Sequence, residues 1–158
     1  LQAIALRLGA DVPFFLCGRH AWVEGIGERI TPLAGVSAPP SARFAVVKPA
    51  AGLETAKIFA SPTLKRDTHS ATILGFAAAH YDFGRNDLQG VAQALCPDVQ
   101  QALDWLQARG LHGRMTGSGS AVFAPMPHAV DLSGAPGAWQ VKACENLTHH
   151  PLAGWAED

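Results

Sequence analysis

With 158 residues, 48% of them apolar and 16% charged, the chain has the composition of a folded globular protein and not of a disordered segment. A formal net charge of -1 removes the electrostatic case for non-specific nucleic-acid binding, so no nucleic-acid partner is expected. No apolar run approaches the roughly 18 residues needed to span a bilayer, so no membrane partner is expected either. The chain opens on Leu1, and Leu1, Ile4, Ala5 and Leu8 fall on one helical face, with Gly9 as a natural stop. No basic segment precedes an apolar core, so this is not a signal peptide, and the reading is of a chain that starts inside a larger protein. Residues 10–13 read as a loop, with Pro13 pushing Val12 toward extended geometry, and the apolar run continues over 14–16. Short strands are expected at 21–24 and 28–31, around Gly25-Ile26-Gly27. Residues 34–41 (AGVSAPPS) form a linker, which places a domain boundary there: residues 1–38 close one domain and 39–158 form a second.

Beyond the linker, RFAVVK at 43–48 reads as a buried strand, and 54–60 as a short helix carrying Ile58 and Phe59. A polar loop over 62–68 precedes a helix over 70–81, weakened by Gly75. Asn86 is a good N-cap for a helix over 86–95. Residues 97–109 are the strongest helix, with Pro97 at the first position, Asp98 in the first turn, and Val99, Leu103 and Leu106 on one face. Gly110 ends it. Strands are expected at 113–116, 120–124 and 138–143. The order strand, helices, strand, strand, strand predicts an α+β fold, a two-layer antiparallel sheet with helices. Cys17, Cys96 and Cys144 are odd in number and follow no metal spacing, which points to a reduced, cytoplasmic compartment. His149-His150 lacks supporting ligands for a metal.

Two stretches could carry chemistry. Asp11, in LGADVPFF, follows a helix C-terminus, where the helix dipole disfavours an acid by roughly 0.3–1 kcal/mol. A local rule broken without visible gain points to function, but an ordinary loop aspartate bonding its own backbone fits the pattern too. Thr116-Gly117-Ser118-Gly119-Ser120 stands between two strands, where its glycines let a ligand approach and its N–H groups can form an anion nest. It has no P-loop lysine and no following helix, and a plain Gly-rich hairpin turn remains open. Phe59 could stack on a base or serve as a core aromatic. An acid that takes a proton and a loop that presents N–H groups are together the equipment for setting a hydroxyl against a phosphate.

LGADVPFFL followed by AWVEGIGERITPL resembles the middle of the GHMP small-molecule kinases, and RMTGSGSAVFA looks like that family's third motif. KIFASPTLKRDTHS, NDLQGVAQALCPDVQQALDWL and ENLTHHPLAGW resemble the carboxy-terminal half of members that act on a diphosphocytidyl methylerythritol. The resemblance implies a ferredoxin-like carboxy-terminal domain over 39–158, preceded by the tail of the amino-terminal kinase domain over 1–38. It implies transfer of the ATP γ-phosphoryl to the 2-hydroxyl of the small-molecule substrate, cytidine diphosphate methylerythritol. Magnesium is implied only through ATP, since no acid cluster is visible. Carried over by position, Asp11 resembles the catalytic aspartate. Thr116, Gly117, Ser118 and Gly119 match the loop at the phosphate end, Phe59 the aromatic that stacks on cytosine, and Thr55 a substrate-side hydroxyl. KPAAGLET at 48–55 departs from the Pro-Gly-rich wording usual before that aromatic. The family's catalytic lysine and glycine-rich ATP loop belong to its amino-terminal part, so this chain alone is expected to be inactive. Two alternatives stand beside this reading: a GHMP kinase of the homoserine or mevalonate type, and a non-catalytic ligand-binding domain of the same fold.

Overall fold

The computed structural model describes residues 1–151. In chain order its elements are α1 (Gln2–Leu8), α2 (Val12–Cys17), β1 (Ala21–Glu24), β2 (Arg29–Pro32), β3 (Arg43–Lys48) and α3 (Thr55–Phe59), then α4 (Ile73–Ala79), α5 (Gln89–Leu95), α6 (Pro97–Gln107), β4 (Arg114–Met115), β5 (Val122–Pro125) and β6 (Gln140–Glu145). They gather into two units, one of Ala42–Ser70 and Gly84–Asn146, the other of Leu1–Ser41, Ala71–Phe83 and residues 147–151. The expected division at 38 lies near the first crossing between units, and each unit is discontinuous in sequence. The end of the expected second domain at 158 and the last residues of ENLTHHPLAGW lie outside the described residues.

The larger unit is a helix-on-sheet sandwich. Its sheet runs β4-β5-β3-β6 with every neighbour antiparallel. Two consecutive strands, β4 and β5, pair as a hairpin, while β3 sits between β5 and β6, which is the split ferredoxin-like order. Alternation along β3 puts Ala45 and Val47 on the helix side, facing Ala124 and Val122 of β5 across the ladder; all four are fully buried. The sheet's other side carries the Phe44–Phe123 edge-to-face pair, with the Arg114 guanidinium over the Phe123 ring. α5 supplies Val91 and Ala92 to the core, and α6 supplies Val99, Ala102, Leu103 and Leu106. That stripe at 3.6-residue spacing is why α6 forms as expected, with Pro97 at its start and Asp98 in its first turn.

The connection from β5 to β6 has no helix. Arg109 holds it instead. Its guanidinium lies 3.6 Å over the Trp105 ring and donates to the carbonyls of Trp105, Asp131 and Ser133. The Asp131 carboxylate accepts the Ser133 N–H and hydroxyl, and these bonds hold its pKa below the ordinary value.

The smaller unit contains α1, α2, the β1–β2 hairpin and α4, with an aromatic group of Trp22, Phe76 and Phe83. Three expectations change here. The 10–13 loop is shorter than expected, because Val12 and Pro13 already belong to α2: proline near a helix start costs no hydrogen bond and presets φ. Of the apolar face expected on α1, only Ala5 is buried, while Ile4 and Leu8 are exposed. The helix expected over 70–81 runs only from Ile73, where Thr72 Oγ1 accepts the Gly75 N–H at 3.1 Å, to Ala79; His80 then turns to φ 39. Gly75 is small for a reason, since a Cβ there would sit 3.0 Å from the Phe83 ring. Among the described residues no helix is long and apolar enough to cross a membrane, and the three cysteines are free thiols.

Leu106 is fully buried between helix layer and sheet, whereas Leu74 is 83% exposed. Leu106→Ala should therefore lower unfolding free energy by about 2–5 kcal/mol in urea titrations, with Leu74→Ala close to neutral.

Candidate active site

Asp11 stands at the N-cap position of α2, in the helical region (φ -88, ψ -14), with its carboxylate exposed and making no cap bond. The helix dipole therefore acts on Asp11 in the opposite sense to the one expected. Asp11 follows α1 by three residues but opens α2, and a helix N-terminus favours a negative charge. The β1–β2 turn is pressed against the residue before it: a Cβ on Gly27 (φ +106) would lie 2.0 Å from the Ala10 carbonyl oxygen. Glu28 folds back over the same turn and accepts the Ile26 N–H at 2.7 Å. Bonds from its own N–H and from Ile26, with Arg29 nearby, hold the Glu28 carboxyl below its ordinary pKa. The Gly25-x-Gly27 pair is thus a turn, and a turn whose second glycine permits contact with the stretch that carries Asp11.

The other expected site residues lie in the larger unit, where the structure brings several together. Thr55 begins α3, and its hydroxyl meets the Ser118 hydroxyl at 2.7 Å. Phe59 lies four residues on, so its ring shares a helix face with Thr55. Phe59 is 51% exposed, while its neighbour Ile58 is fully buried. The core reading of Phe59 is therefore overturned, and the core aliphatic of α3 is Ile58. Arg66 donates to the Phe59 carbonyl at 2.6 Å and closes the end of the helix.

In the loop itself the glycines do different things. Gly117 (φ +54) has open space around a hypothetical Cβ, so only its backbone conformation calls for glycine. Gly119 (φ +85) is packed: a Cβ would lie 2.7 Å from Met115 Sδ and 3.0 Å from Leu53 Cδ1. The Gly119 N–H donates to the Thr116 carbonyl at 3.1 Å, which narrows the expected nest. Among the described residues the Gly117 and Ser118 N–H groups have no protein acceptor, so these two remain available to an anion.

Asn86, Gln89 and Lys48 are not expected at the site from the sequence, and Ser120 only as the last residue of the Gly/Ser loop. Asn86 Nδ2 donates to the Met115 and Gly117 carbonyls at 2.9 and 2.8 Å, and its Oδ1 accepts the Leu88 N–H. It thus braces the loop instead of capping a helix from residue 86, and α5 starts at Gln89. Gln89 Oε1 accepts the Met115 N–H at 2.8 Å. Ser120 is fully buried and bonds the Lys48 ammonium. A polar residue just before an apolar helix was the available signal for Asn86, and it reads as a cap by default.

Residues 69–140 match the family described as GHMP kinases C terminal. Over that span the chain is similar to the carboxy-terminal region of GHMP kinases. It is 67% identical over 155 residues to a protein of Acidovorax sp. (strain JS42) named 4-diphosphocytidyl-2-C-methyl-D-erythritol kinase, with 98% of this chain and 55% of the relative aligned. A protein of the same name from Delftia acidovorans is 64% identical over 158 residues, covering all of this chain and 55% of the relative. The crystal structure of a 4-(cytidine 5'-diphospho)-2C-methyl-D-erythritol kinase superposes with a TM-score of 0.64 at 32% identity, over 80% of this chain and 47% of that one. The chain spans about half the length of the curated relatives it matches.

Both loop glycines resist a side chain, for unequal reasons. Gly117→Ala should cost about 1 kcal/mol from φ strain alone, and Gly119→Ala clearly more, because Met115 and Leu53 must also move; thermal melts of the two variants test the ranking. Glu28 has a depressed folded pKa, so its contribution is present above the unfolded carboxylate value and is lost as pH falls through the folded one. The Tm difference between wild type and Glu28→Gln should thus be constant from neutral pH down to about 5 and close below about 4.

Proposed function

We propose that this segment is the carboxy-terminal part of an ATP-dependent kinase that phosphorylates the 2-hydroxyl of 4-diphosphocytidyl-2-C-methyl-D-erythritol. In this proposal residues 1–38 complete the amino-terminal kinase domain and 39–158 form the second. The observation that carries it is the Thr55–Ser118 hydroxyl pair beside two uncommitted loop amides, with the exposed Phe59 ring one helical turn away. A hydroxyl and amide group suits a phosphate or ribose-like oxygen; an exposed ring beside it suits a flat base. This favours a cytidine-bearing substrate over a small amino-acid or mevalonate-like alcohol. The relatives' shared name gives independent support.

The roles follow from what phosphoryl transfer requires. The bond from the γ-phosphorus to the β,γ-bridging oxygen of ATP breaks, the substrate 2-oxygen bonds to that phosphorus, and the hydroxyl proton leaves for Asp11. Because such transition states are loose, holding the two oxygens in line matters more than covalent chemistry by the protein. Gly117 and Ser118 contribute N–H groups to the phosphate-bearing end, Thr116 and Gly119 shape their loop, Thr55 donates or accepts at the substrate side, and Phe59 stacks on the cytosine. Among the described residues no group of three or more His, Cys, Asp or Glu could hold a metal ion. Magnesium enters with the ATP phosphates in this reading. A cytoplasmic location accords with the three free thiols.

In a full-length kinase carrying this segment, Asp11→Asn should lower kcat by about 10²–10⁴ with KM little changed. Phe59→Ala should raise KM for the cytidine substrate by about 5- to 150-fold, the equivalent of one stacking contact, and spare Tm. Steady-state ADP release with ATP and the cytidine substrate measures both, and a fully active Asp11→Asn variant ends the reading.

A further inference from the structure

Lys48 closes β3 and does not run out to solvent as a strand-end lysine ordinarily does. Its Nζ donates to the Pro49 carbonyl at 2.9 Å, the Ala51 carbonyl at 3.3 Å and Ser120 Oγ at 3.0 Å. An ammonium has three N–H donors, so all are engaged, and each bond is charge-assisted. Ser120 is 1% exposed, and its hydroxyl donates in turn to the Ala51 carbonyl. These bonds join two stretches far apart in sequence. One leads from β3 through Leu53 to Thr55; the other is the loop that carries Ser118. The same two stretches meet again at Gly119 against Leu53 and at the Thr55–Ser118 pair. Neither Lys48 nor Ser120 has a role in the transfer step described above.

We propose that Lys48 and Ser120 form an internal ammonium–hydroxyl brace that sets the spacing between residues 48–55 and the 116–120 loop, making both of them positioning residues for the Thr55–Ser118 pair. A hydroxyl pair at 2.7 Å tolerates little drift, since a hydrogen bond weakens steeply with distance and angle. Two loops need a constraint to hold it, and the brace supplies one from the end of a strand paired on both sides in the sheet. The kinetic part of the proposal rests on the kinase reading; the geometric part does not.

Amide hydrogen exchange of this chain tests the geometry, comparing the bonded loop amides of Thr116 and Gly119 with β3 and β5 as internal reference. In Lys48→Met and in Ser120→Ala the loop should exchange about tenfold faster or more while the strands hold within about threefold. The double variant should be no faster than the faster single one, because the two side chains serve one contact. Unchanged loop exchange in either single variant, or multiplied effects in the double, overturns the brace. If Lys48→Met loosens the strands as well, the near-isosteric Ser120→Ala decides by the same criterion. In the full-length kinase both variants should raise KM for the cytidine substrate several-fold with kcat within about twofold. A fall in kcat at constant KM overturns the positioning role. An Asp11→Asn variant that keeps its kcat would defeat the kinase reading alone, and loop exchange would still decide the brace.

Discussion

The larger unit depends on one close approach: the backbone of Gly119 lies against Met115 and Leu53 with no room for a Cβ. A hairpin loop between β4 and β5 would ordinarily project into solvent and satisfy its polar groups with water. Here it folds back onto the stretch that follows β3, and the buried part must find protein partners. Asn86 takes the Met115 and Gly117 carbonyls, Gln89 takes the Met115 N–H, and Ser120 bonds Lys48 and the Ala51 carbonyl. Four polar side chains from three stretches of chain thus do for this loop what a sheet ladder does for a strand. Their common effect is to present Ser118 to Thr55 at hydrogen-bond distance.

Where the fold was legible in the sequence, a single periodicity dominated. α6 has a buried residue at each expected turn, and β3 alternates between the helix side and the other side of the sheet, so both stand where the pattern puts them. The differences arise where one residue has two possible jobs. Pro13 is compatible with an extended predecessor and with a helix start, and the second prevails in α2. Thr72, and not Ser70, supplies the hydroxyl that accepts the Gly75 N–H, and α4 begins after it. Asn86 is a cap by propensity and a brace in fact, because the loop carbonyls it reaches lie 29 and 31 residues away.

The site shows the same boundary between local and distant information. Phe59 and Thr55 share a helix face, and i,i+4 spacing makes that visible in sequence alone. Which of Ile58 and Phe59 is core is not visible, since both are apolar neighbours; the first joins the buried core cluster and the second is 51% exposed. Lys48 and Ser120 are 72 residues apart and belong to no common motif, so nothing local marks them as partners. Asp11 was found by its surroundings, but its electrostatic setting was inverted, because a six-residue helix after it is too short to show a periodic pattern.

Loose phosphoryl transfer asks little covalent work of a protein, so the exacting requirement is geometry, and geometry is held by residues that never meet the substrate. In each unit a glycine with positive φ serves that end by letting backbone approach its neighbour: Gly27 at the Ala10 carbonyl, one residue from Asp11, and Gly119 at Met115 and Leu53, one residue from Ser118. In each unit, too, a charged side chain folds back to fix a turn, the Glu28 carboxylate over Gly25–Gly27 and the Lys48 ammonium over residues 49–51. Such side chains give up rotamer freedom, and they hold those positions because more than one hydrogen bond converges on each. The groups proposed to act on substrate are a carboxylate, two hydroxyls, two amides and a ring, all ordinary in chemistry. What distinguishes them from the same groups in any loop is that the chain has restricted where each can be.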